Sequence, residues 1–97
     1  MKQSEKLSET VVRTETVHEN GFTYRYVLFF RRDLHSSYRP PMYSIRAELT
    51  EEDGATYTAE VTDAFADPGH ALIFFSLCHE HLVMHMHLSD VLADFEH

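Results

Sequence analysis

The sequence predicts an α+β domain, a four-stranded antiparallel β-meander followed by two short helices packed on one sheet face. Three observations predict it. Apolar residues recur with a period of two within residues 22–33, 43–50 and 55–62. The turn signals Asn20-Gly21 and Asp53-Gly54 interrupt the chain between such runs. Beyond Asp67-Pro68 the apolar spacing changes to that of helices.

Each element follows from its residues. Residues 9–18 (ETVVRTETVH) are rich in β-branched Val and Thr and form the first hairpin arm. In residues 22–33, Phe22, Tyr24, Tyr26, Leu28 and Phe30 alternate with Thr23, Arg25, Val27, Phe29 and Arg31. Residues 34–41 (LHSSYRPP) are loop, because consecutive prolines donate nothing to a sheet ladder. Tyr43, Ile45, Ala47 and Leu49 mark a third strand, and Ala55, Tyr57, Ala59 and Val61 a fourth. Short turns between them make a meander, since consecutive strands usually pair as neighbours. Asp67-Pro68 reads as an N-cap with proline at the first helical position, opening an apolar helix that runs to near His81. Leu88, Val91, Leu92 and Phe95 form the stripe of a second helix. Both helices are too short to stand alone and are expected across the sheet face that carries Tyr24 and Tyr26.

Composition narrows the classes of function. Ninety-seven residues suit one domain, 1–97, with residues 1–8 expected to fray. Hydrophobic content of 43% supports a packed core rather than disorder. The single cysteine, Cys78, allows no internal disulfide, and with no membrane-length apolar run or signal-peptide h-region a cytoplasmic location is expected. All eight Lys and Arg lie at or before Arg46, among five acids, whereas residues 47–97 hold eleven acids and no Lys or Arg. A net charge of −8 speaks against nucleic acid and against anionic membranes as partners.

The tripeptide Tyr43-Ser44-Ile45, and His87-Leu88-Ser89-Asp90-Val91 followed by Asp94-Phe95, carry a resemblance. From roughly residue 22 onward the chain resembles a family of short bacterial proteins of unknown function. Their pattern is a β-rich half with a Y-x-I strand, an apolar helix and a closing H-L-x-D-V-x-x-D-F helix. His85 stands where that pattern has proline. The resemblance implies a fold and no activity.

Two constellations bear on function. His79, His81, His85 and His87 fall within nine residues and offer a transition-metal ligand set as the alternative reading. However, His81 and His85 flank the expected helix break, and no H-E-x-x-H occurs, so these histidines are expected at the surface or, for His87, capping the last helix. Cys78 is expected in the core rather than as a nucleophile, and no acid, base and nucleophile converge. The second constellation is the sheet face opposite the helices, with Arg25, Val27, Phe29, Arg31 and Arg46 beside Glu48 and Glu60. Alternation leaves Val27 and Phe29 to water at its centre, so Phe29 should be replaceable without loss of the fold. The ordinary reading of such a face is cross-strand ion pairs within the chain with a few scattered apolar residues. The alternative is an interface whose arginines pair with carboxylates of a second copy. The Tyr38-Arg39-Pro40-Pro41 loop is a further recognition candidate. The sequence thus reads as a non-enzymatic interaction module without cofactor, whose partner is itself or another protein.

Overall fold

The structure, a computed structural model, describes residues 7–33 and 41–96. Of the expected Tyr38-Arg39-Pro40-Pro41 recognition loop, residues 38–40 lie outside the described residues. Four strands, β1 (Leu7–Glu19), β2 (Phe22–Asp33), β3 (Met42–Thr50) and β4 (Thr56–Phe65), form one antiparallel sheet in the order β1-β2-β3-β4. Helix α1 (Pro68–Glu80), a 3-10 turn (His85–His87) and helix α2 (Leu88–Phe95) follow. The fold class is the expected one. β1 begins at Leu7, inside the segment expected to fray.

Local chemistry accounts for the turns and helix ends. Asn20 (φ 53) and Gly21 (φ 82) are both left-handed, as a tight two-residue hairpin requires. The Asp67 carboxylate accepts the His70 amide at 2.9 Å and caps α1, with Pro68 at its first position. Leu82 (φ 50) takes the left-handed place usually given to glycine, and the Val83 amide donates to the Cys78 carbonyl at 3.0 Å. The Tyr26 hydroxyl donates to the Val83 carbonyl at 2.9 Å and ties this reversal to the sheet. Burial pushes the Tyr26 phenol well above its ordinary value, so it remains a donor.

The core lies between the Tyr24/Tyr26 face and the helices, as alternation predicted. Tyr26 and Leu28 of β2, Ile45 and Ala47 of β3 and Val61 of β4 meet Phe74, Phe75 and Cys78 of α1 and Leu88 of α2. Two local changes depart from the regular ladder. Between the pairs Val11–Phe29 and Arg13–Leu28, β1 inserts the extra residue Val12, a β-bulge. β4 is also irregular: the register slips between Tyr43–Phe65 and Ile45–Val61, Asp63 takes φ 52, and its amide donates to the buried Ser44 hydroxyl at 2.8 Å.

Candidate interaction surface on the open sheet face

Side-chain parity places Arg25, Val27, Phe29 and Arg31 of β2, Ser44, Arg46 and Glu48 of β3, and Glu60 of β4 on the face away from the helices. That much matches the sequence reading. The exposure does not. Val27 is 1% and Phe29 0% exposed, so neither is the bare apolar centre expected from alternation. Val27 is flanked in register by Thr14 and Arg46. The Phe29 ring lies beneath two guanidinium groups, Arg31 at 4.8 Å and Arg46 at 4.5 Å from its centroid. Each cation over the negative ring face contributes on the order of 0.5–2 kcal/mol, in addition to the water it excludes.

A ring of alternating charge holds the two arginines there. Arg31 reaches Glu60 at 2.9 Å and Glu9 at 3.2 Å, while Arg46 reaches Glu9 at 3.1 Å and Glu60 at 3.3 Å. The Thr62 hydroxyl donates to Glu60 at 2.8 Å, and Arg25 pairs separately with Glu48 at 3.1 Å. The cationic and anionic groups of this face are therefore paired across strands within the chain, as the ordinary reading of the face has it. Glu9 was not among the residues that the sequence assigned to this face. Counting by twos back from the hairpin puts Glu9 on the helix side, and the Val12 bulge turns it over, opposite Arg31.

Electrostatics follow from this ring. The hydrogen bond from Arg31 to Glu60 raises the Arg31 pKa. Partial burial works against the Arg46 charge, but the bonds and attraction of Glu9 and Glu60 outweigh it and raise its pKa as well. For Glu60, partial burial favours the neutral acid, yet Arg31, Thr62 and Arg46 together hold it below its ordinary 4.5. A depressed carboxylate contributes stability that is complete above the unfolded pKa and lost as pH falls through the folded one. Glu60→Gln should cost about 1 kcal/mol at pH 7, since the group is largely but not fully withdrawn from water. It should also flatten the loss of melting temperature below pH 4.5. Melting curves of both proteins from neutral to acidic pH check this, and parallel curves would remove Glu60 from the acid response.

The histidines are dispersed. His79 lies edge-on to Phe75 at 5.3 Å, and His81 is exposed at the end of α1. His85 stacks on Tyr57 at 5.4 Å, and its buried Nδ1 has no hydrogen-bond partner among the described residues. His87 occupies the N-cap of α2, but its side chain makes no capping hydrogen bond, so the dipole there is met by Asp90 instead. Among the described residues no three His, Cys, Asp or Glu side chains converge on one point. Cys78 is fully buried, and burial pushes its thiol up to about 12. No helix among the described residues is long and apolar enough to cross a membrane.

The arrangement defines an α+β sheet-and-helix protein with a charge-laced sheet face that no described element covers. Compared with family models, curated proteins and solved structures, the chain has no match.

Proposed function

We propose that the chain is a non-enzymatic, cytoplasmic protein-interaction module of the short bacterial type that it resembles, docking a protein partner on its open sheet face. The observation that carries this reading is a face left uncovered by every described element while its charged side chains are already paired. A partner meeting Arg31, Arg46, Glu9 and Glu60 would find them held in one arrangement by their ion pairs, and preorganisation of this kind lowers the entropic cost of association. The sealed Phe29 moves the apolar contact outward to Val11, which is 53% exposed and sits opposite Phe29 in the ladder. Arg25, with 46% of its side chain exposed, supplies a charged rim. The sealed thiol of Cys78 supports the non-enzymatic part, because a nucleophilic cysteine needs an accessible thiolate. The acidic net charge supports a protein rather than nucleic acid or an anionic membrane as partner.

The experiment compares immobilised wild type, Arg25→Glu and Ile73→Lys in extract of the native cell, read by mass spectrometry. Ile73 is 58% exposed on α1, on the opposite side of the molecule, and serves as the control. Wild type and Ile73→Lys should retain the same protein, and Arg25→Glu should retain about tenfold less. Equal retention by all three, or loss with Ile73→Lys alone, overturns the open face as the docking surface.

A further inference from the structure

The sheet has two edges, and they differ in charge. β4 carries no Lys or Arg, its Glu60 is already paired with Arg31 and Arg46, and its ladder is broken near Asp63, so it offers a second copy no complementary charge. β1, the longest strand, carries both signs. Arg13 and Glu15 project on one face, 3.6 Å apart, with side chains 57% and 36% exposed. Next to them the bulge leaves Val11 53% and Val12 46% exposed, two of the few large apolar side chains still in water. β1 is the terminal strand, and among the described residues its partner is β2. Its outer backbone donors and acceptors are therefore offered to a further strand.

We propose that two copies of this chain join edge to edge along β1, with Thr14 on the two-fold axis, to form one eight-stranded sheet. In an antiparallel pair centred on Thr14, Arg13 of each copy stands opposite Glu15 of the other. The intrachain pair becomes a closed quartet of alternating charge, a self-complementary patch as two-fold symmetry demands. Thr14 faces its own copy, a hydroxyl pair that antiparallel sheets favour. In the same register Val12 comes opposite Thr16 of the second copy and leaves water, whereas Val11, turned to the open face by the bulge, stays available there. The bulge ends the regular ladder there, which keeps the contact short and halts further growth of the sheet. The inference rests on the reading of the chain as an interaction module: the open faces of both copies become continuous, and the dimer presents two docking platforms side by side.

The test is sedimentation equilibrium of the full chain from about 1 to about 200 µM, a range that covers micromolar association. Glu15→Arg, which brings four cations together, should weaken the dimer about tenfold or more, and the swap Arg13→Glu/Glu15→Arg should restore it. Circular dichroism checks that each variant keeps its fold, as expected for exposed positions. Amides of β1 should exchange more slowly in the dimer than in Glu15→Arg. A wild type that stays monomeric throughout overturns the pairing, as does a swap no better than Glu15→Arg. A dimer indifferent to Glu15→Arg but lost in Arg25→Glu also overturns it, in favour of face-to-face association. Partner capture by the open face is read separately through Arg25→Glu, so either idea fails without the other.

Discussion

Phe29→Ala should cost about 3 kcal/mol and lower the melting temperature by roughly 12–24 °C, although Phe29 lies on the face away from the helices. The ring is fully withdrawn from water, and the groups that cover it are two guanidinium ions rather than a second apolar layer. Truncation removes the buried ring and the surface on which Arg31 and Arg46 rest, while their charges stay paired with Glu9 and Glu60. Phe29→Leu separates the two contributions. It keeps most of the apolar volume and loses the π face, so about 1–2 kcal/mol should go. Urea unfolding of the three proteins, with unchanged m-values, measures both steps. A Phe29→Ala protein within about 0.5 kcal/mol of wild type behaves as a surface variant and would return Phe29 to water.

The second large effect belongs to the helix side. Phe74 is 0% exposed and stands between Phe65 of β4, at 5.5 Å, and Phe95 of α2, at 5.3 Å. Phe65 and Phe95 also meet edge-on at 5.8 Å, so the three rings join the last strand to both helices. Phe74→Ala should cost about 3–5 kcal/mol, a large share of the stability of a domain this size. The loss should not be uniform. α2 has eight residues, too few to hold a helix by itself, and it depends on Leu88 and on Phe95 for its attachment. Hydrogen exchange should therefore show α2 amides opening at lower free energy than those of β2 and β3. A loss below about 1 kcal/mol, or α2 protection equal to wild type, would mean that the triad does not anchor the helix.

Much of this architecture is written locally. Asn20-Gly21 can enter left-handed backbone and so closes a hairpin, and Asp67-Pro68 supplies a cap and a first-turn residue that needs no donor. The alternation of residues 22–33 assigns Tyr24 and Tyr26 to the helices and Val27 and Phe29 to the other face. Each of these depends on one or two neighbours in the chain, and the sequence alone determined them. α1 ends at Glu80, near His81 as expected, but the reversal that follows it was less legible. Leu82 adopts a glycine-like conformation because the Val83 amide and carbonyl are engaged by Cys78 and Tyr26, partners that no local signal names.

The candidate site was half legible for the same reason. Parity identified which residues share the open face, but it carries no information on what covers them. Phe29 is sealed because Arg31 lies two residues away on its own strand and Arg46 lies across on β3. Their side chains fold over the ring only with Glu9 and Glu60 to hold them. Glu9 joins that ring through the single inserted residue at Val12, since a period of two converts one extra residue into a change of face. The sequence by itself determined the strands, their order and the two faces of β2, β3 and the start of β4. The tertiary structure decided between the two readings of the open-face charges by pairing them within the chain. It also turned the first half of β1 over and left β1 a mixed-charge edge that no described strand covers. Burial and ion pairing are properties of side chains brought together across strands, and one bulge suffices to change which of them meet.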